Sequence, residues 1–191
     1  LLQGNQVTEE GVLGLGRALE SNYSMIKLIV VENLAARVSS LPALERMSLC
    51  LKRNWSMSVQ VQGTKKNNVF KANSQGLLRI PPQIASREAK SITVLDLEGN
   101  NISFLPPSFA VLVNMISVNL SENSLVKIDE ICAMTNLRVL RVSGNSIETL
   151  PALFAKRCRK LQHLEMQQNK LREFPQVLVD MEEISKLNLS R

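Results

Sequence analysis

The side chains that do chemistry are sparse and scattered along this 191-residue chain. A single histidine, His163, stands in a run that alternates like a strand, with no second histidine to build a metal site or a proton-transfer pair. It reads as a structural or surface residue. The three cysteines, Cys50, Cys132 and Cys158, are odd in number and far apart, so their spacing encodes neither a disulfide framework nor a zinc site. Cys50 and Cys132 read as core fillers. Cys158, inside AKRCRK, reads as a surface thiol, with a pKa lowered by the adjacent cations as the alternative. Gly11, Gly14 and Gly16 fall on an expected helix rather than in a phosphate-binding loop. No catalytic residue, metal ligand or cofactor is assigned, and the chain is read as a non-enzyme.

Positive charge is the other chemical feature, and it is local. Residues 34–90 hold ten basic side chains against Glu45 and Glu88, so the whole +6 of the chain comes from its middle. Lys52, Arg53, Lys65, Lys66 and Lys71 make the candidate basic patch, which could meet an acidic protein, an acidic membrane or a nucleic acid. Only Trp55 and Phe70 offer rings for base stacking and no RNA-binding motif is present, so nucleic acid is not the expected partner.

The elements that must position these groups follow a recurring pattern, L-x-x-L-x-L-x-x-N-x-L. Ile92, Leu95, Leu97, Asn100 and Ile102 fill it first, then Met115, Val118, Leu120, Asn123 and Leu125. Leu137, Leu140, Val142, Asn145 and Ile147 follow, and then Leu161, Leu164, Met166, Asn169 and Leu171. The asparagines are 23, 22 and 24 residues apart. Pattern and period resemble the leucine-rich repeat family. The resemblance implies an α/β solenoid: a curved horseshoe with a parallel sheet on its concave face, and helices giving way to short 3-10 or irregular segments on its convex face. A composition 45% hydrophobic but only 4% aromatic suits such an aliphatic core.

Three stretches are expected. In residues 1–57, Thr8 can cap a helix whose first turn holds Glu9 and Glu10, with Val12, Leu15, Ala18 and Leu19 on one face. Gly11, Leu15, Ala18, Leu19 and Asn22 resemble the longer repeats of ribonuclease inhibitor and the NOD-like receptors, echoed at Cys50, Leu51 and Asn54. Pro42 is placed at a second helix start, with Leu44, Met47 and Leu51 as its stripe. Residues 58–74 read as an irregular basic joint around the turn-prone GTKKNN. In residues 75–191 regular units begin with Gln75 at the asparagine position and turn at Ile80-Pro81, Leu105-Pro106, Leu150-Pro151 and Phe174-Pro175. These resemble the intracellular 22 to 24 residue class found in Roco-type proteins. Ile128 is followed by Asp129 instead of proline, and a tighter turn is expected there. Both ends read as cut partway through a unit, as in a piece of a longer protein.

In each unit the asparagine is expected to be buried and to pair with the backbone where the strand turns away, while alternation sends the side chains between the leucines outward. The outward column runs Asp96, Asn119, Arg141, Glu165 and Asn188, between His163 and Lys186 on one side and Glu98 on the other. Asp96, Glu98, Asn119, Arg141, His163, Glu165 and Lys186 are the candidate concave-face binding residues. Lys27, Ile29 and Val31 take these positions in the first stretch.

The expected function is a scaffold or regulatory recognition module of an intracellular signalling protein, holding a protein partner or an adjacent domain. The alternative is a GTPase-activating or GTPase- or kinase-regulating repeat protein, with Arg37 as its candidate charge-stabilising finger and any catalytic domain outside the chain. No apolar run reaches the ~18 residues of a membrane helix. With unpaired cysteines, that points to a cytoplasmic protein. Five N-x-S matches, at Asn22, Asn54, Asn101, Asn119 and Asn188, point the other way, but serine-rich repeats generate them by chance.

Overall fold

The structure is a computed structural model that describes residues 8–20, 22, 45, 46, 49, 50, 53, 68–81, 84 and 91–190. The chain divides into two compact units, Leu1–Val59 and Gln60–Arg191.

In the first unit the helix Glu9–Glu20 starts where Thr8 can receive it. The Gly11 N–H donates to Thr8 Oγ1 at 3.2 Å, satisfying a first-turn donor that has no partner within the helix. Leu19 and Gly16 are buried and Leu15 half-buried, but Ala18 is exposed, so the apolar stripe is narrower than its spacing suggests. Glu45, Arg46, Leu49, Cys50 and Arg53 are also helical, with Cys50 buried and Leu49 exposed. Pro42, Leu44, Met47 and Leu51, and the Lys27, Ile29 and Val31 positions, lie outside the described residues.

The second unit holds six three-residue strands: β1 (Val69–Lys71), β2 (Val94–Asp96), β3 (Ser117–Asn119), β4 (Val139–Arg141), β5 (His163–Glu165) and β6 (Lys186–Asn188). They form one open sheet in sequence order, every neighbouring pair parallel. Because side chains alternate along a strand, the middle residue of each points into the core. Phe70, Leu95, Val118, Leu140 and Leu164 are all buried. Leu187, at the same register on edge strand β6, remains 39% exposed. The parallel array therefore includes Val69–Lys71, ahead of Gln75 where regular units were expected. Residues 58–67 of the expected joint lie outside the described residues.

Strands β1 to β5 each leave the sheet through one backbone device. Ser74, Gly99, Glu122, Gly144 and Gln168 have φ of 51°, 69°, 53°, 61° and 56°, and each immediately precedes a residue at the asparagine position. At the four asparagines the left-handed residue turns the next side chain inward. Asn145 then donates from Nδ2 to the carbonyls of Leu120, Val142 and Ser143 and accepts the Leu125 N–H on Oδ1 at 2.9 Å. Asn100, Asn123 and Asn169 repeat the arrangement, accepting from Leu77, Ile102 and Ile147 at 3.0 Å each. Burying the backbone of a turn without such partners would cost about 1–3 kcal/mol per group. Gln75 occupies the same position but not the same role. It is exposed, and its Nε2 donates to the Asn73 carbonyl at 3.1 Å.

On the return path the chain forms 3-10 helices at Pro107–Val111, Asp129–Ala133 and Gln176–Asp180, and a short α-helix at Phe154–Arg157. Phe109, Ile131 and Phe154 close the core from these segments. The turn after Ile128 is not tighter than its neighbours, since its 3-10 helix has the same five residues as the other two. The shorter spacing comes from omitting the residue that is Pro106 or Pro175 in the other units, so Ile128 itself caps the segment.

Candidate functional site

The register that buries the strand centres also aligns their outward residues. Val94, Ser117, Val139, His163 and Lys186 stand opposite one another along β2 to β6, as do Asp96, Asn119, Arg141, Glu165 and Asn188. Six of the seven candidate sheet-face residues therefore share one face, and Glu98 follows at the exit of β2.

They form two groups. On β2 and β3, Asn119 Nδ2 donates to Glu98 Oε2 at 2.9 Å. Asp96 and Asn119 also accept the N–H two residues on, from Glu98 at 3.3 Å and Ser121 at 3.1 Å, so they help end their strands as well as line the face. Among the described residues, no cation lies within ion-pair distance of Asp96 or Glu98.

On β4 to β6, Glu165 is a hub. Its Oε2 meets Arg141 Nε at 3.2 Å, and its Oε1 meets His163 Nε2 at 2.7 Å and Lys186 Nζ at 3.3 Å. Partial burial by itself would raise the Glu165 pKa. Hydrogen bonds from His163 and Lys186, with the charge of Arg141, overcome that and hold it below the ordinary carboxylate value. Exposed ion pairs of this kind stabilise a fold by only about 0–1 kcal/mol. The arrangement is better suited to presenting fixed charges than to holding the sheet together. Along the next outward positions Ser121 and Ser143 are buried, and Ser143 Oγ and Gln167 Oε1 have no hydrogen-bond partner among the described residues.

Of the candidate basic patch, Arg53 and Lys71 fall among the described residues. The Arg53 guanidinium donates to the carbonyls of Leu19, Glu20 and Asn22 at 3.3, 3.4 and 3.2 Å, serving the open C-terminal end of the helix Glu9–Glu20. Lys71 lies on β1 in the other unit, in register with Asp96. Lys52, Lys65, Lys66, Trp55 and Arg37 lie outside the described residues. Phe70 is fully buried and offers no stacking surface.

Cys158 is not a surface thiol. It is fully buried at the end of the short helix Phe154–Arg157, with Sγ 3.7 Å from the Ile131 carbonyl. Burial first, then neighbouring Cys132, pushes its pKa up to about 12, opposite to the lowering expected from adjacent cations. Cys132, expected in the core, is half-buried. Its thiol is also raised, by burial and by Asp129 and Glu130 against Arg157. Among the described residues no group of three or more His, Cys, Asp or Glu could hold a metal, and no helix is long and apolar enough to cross a membrane.

Comparison with known proteins agrees with this geometry. The leucine rich repeat family profile matches residues 90–147 and 135–191, together more than half of the chain. The leucine-rich repeat serine/threonine-protein kinase 1 of Caenorhabditis elegans is 28% identical over 91 residues, 46% of this chain and 4% of that protein. Keratocan of Danio rerio is 28% identical over 196 residues, covering 99% of this chain and 49% of its own length. The chain thus spans half or less of these relatives. Among solved structures, it resembles the ectodomain of the Arabidopsis thaliana membrane receptor kinase GASSHO1/SCHENGEN3, solved in complex with CASPARIAN STRIP INTEGRITY FACTOR 2. That match has a TM-score of 0.52 and 29% identity, over 59% of this chain and 14% of the other. From the periodic leucines, the asparagine ladder, the in-register parallel sheet and the profile match, the chain belongs to the leucine-rich repeat family.

Proposed function

We propose that this chain is a non-catalytic recognition module of the kind signalling proteins carry, and that it holds a protein partner or a neighbouring domain on the outward face of its sheet. Proteins of this family generally mediate protein–protein interaction. The observation that carries the reading is the register: it gathers the outward residues of β2 to β6 into one charge-mixed surface, on which Glu165 holds Arg141 and Lys186 in place. A surface of mixed sign suits a protein partner better than a polyanion. The match to a kinase supports a signalling context, and three unpaired cysteines support a reducing, cytoplasmic one.

Site-specific photo-crosslinking tests this. Benzoylphenylalanine at Ser117 or Val139 on the sheet face should trap a protein in cells, whereas the same probe at Val111 or Val179 on the return segments should not. Crosslinks arising only from positions 111 and 179 would overturn the assignment.

A further inference from the structure

The charges on the sheet face are divided by sign along the array. Asp96 and Glu98 belong to β2 and its exit. The cations follow on later strands: Arg141 on β4, His163 on β5 when protonated, and Lys186 on β6. Glu165 neutralises one of them, so the β4 to β6 zone keeps a net positive charge, with the Arg141 and Lys186 side chains 39% and 64% exposed. Lys71 on β1, in register with Asp96, bounds the acidic zone on its other side.

Spacing converts this division into a partner chemistry. Strands lie about 4.8 Å apart, which places Arg141 about 10 Å and Lys186 about 19 Å from Asp96 along the face. An extended chain advances about 3.3 Å per residue, so about three to six residues cover the gap. We infer, resting on the reading of the sheet face as the binding surface, that the partner presents an extended segment with one basic and one acidic side chain about three to six residues apart. The basic group lies against Asp96 and Glu98, and the carboxylate against Arg141 and Lys186. Such a bipolar match fixes the direction of the segment as well as its identity, because reversing it sets like charges together.

The test uses the chain with an array of immobilised synthetic dodecapeptides: bipolar sequences in both orders, single-sign sequences and neutral sequences. Bipolar peptides of one order should bind about tenfold better than neutral or single-sign peptides. Asp96→Lys with Glu98→Lys should remove the preference for the basic residue. Arg141→Glu with Lys186→Glu should remove the preference for the acidic one, and the milder Arg141→Gln with Lys186→Gln should reproduce that loss if the reversal impairs folding. Bipolar peptides binding no better than neutral ones, or a preference that survives both double swaps, would overturn the inference. Ser117→Trp separates the two levels. If it abolishes peptide binding while the swaps change no preference, the charge match fails and the sheet-face assignment stands. If peptides bind Ser117→Trp as before, the sheet-face assignment itself fails.

Discussion

Asn145 reaches back to the preceding unit at Leu125, 20 residues earlier, and accepts its backbone N–H at 2.9 Å while donating to the Leu120 carbonyl at 3.0 Å. One side chain therefore joins two consecutive turns, and the same link at Asn100, Asn123 and Asn169 makes the array continuous.

Replacing Asn145 with alanine strands the Leu125 N–H and removes the donor shared by three carbonyls. We expect Asn145→Ala to destabilise the chain by about 3 kcal/mol in chemical denaturation. Asn119→Ala, which removes a partly exposed side chain from the sheet face, should cost less than about 1 kcal/mol. Equal losses would show that the ladder contributes nothing beyond surface polarity.

The residue before each asparagine is left-handed whether or not it is glycine. Gln168, at φ 56°, should therefore carry strain that Gly144, at φ 61°, does not. Gln168→Gly is expected to stabilise by up to about 1 kcal/mol, and Gly144→Ala to destabilise by about 1–2 kcal/mol. The added Cβ would also press on the Glu122 carboxylate, a flexible group able to move aside. Melting temperatures that move in the opposite directions would refute the backbone argument.

Much of this was legible because solenoid units repeat their chemistry. The leucine and asparagine positions are constrained identically in every unit, so period alone finds them, and the outward columns follow by alternation. β1 was obscured because Asn67 and Ala72 stand at two of its leucine positions. Stacking of Phe70 beneath Leu95 forms the strand despite its weak local pattern. Cys158 was obscured by its charged neighbours. Its signal lay in position instead. It falls three residues before Leu161, as Leu112 precedes Met115 and Met134 precedes Leu137, and all three end a return segment with an N–H bond to its buried aromatic or isoleucine. The hub at Glu165 depends on side-chain rotamers, which register brings near one another but does not specify.

The burial of Cys158 has a chemical consequence. Thiolate is the reactive form, so a thiol pushed up to about 12 inside the core should resist alkylation near neutral pH. Iodoacetamide labelling followed by mass spectrometry should modify half-buried Cys132 slowly and leave Cys158 unmodified until denaturant is added. Labelling of native Cys158 ahead of Cys132 would contradict the placement.

The lowered pKa of Glu165 makes a small part of stability depend on acid. Its folded-state value lies below the ordinary 4.5, so between the two the unfolded chain binds more protons and stability rises with pH. The contribution is fully present above the ordinary value and disappears as pH falls through the lowered one. The difference in melting temperature between wild type and Glu165→Gln should shrink as pH falls below the ordinary carboxylate value, corresponding to under about 1 kcal/mol. A difference that grows in acid would reverse the assigned sign.

The most direct test of the central claim, that the sheet face holds a protein partner, is the affinity of the photo-captured protein for three tryptophan variants. Ser117→Trp and Val139→Trp obstruct the sheet face, and Val179→Trp enlarges a side chain already 70% exposed on a return segment. With melting temperatures unchanged, the two sheet-face variants should weaken binding by at least about tenfold and Val179→Trp should not. Full affinity in both sheet-face variants, or an equal loss in Val179→Trp, would contradict the account.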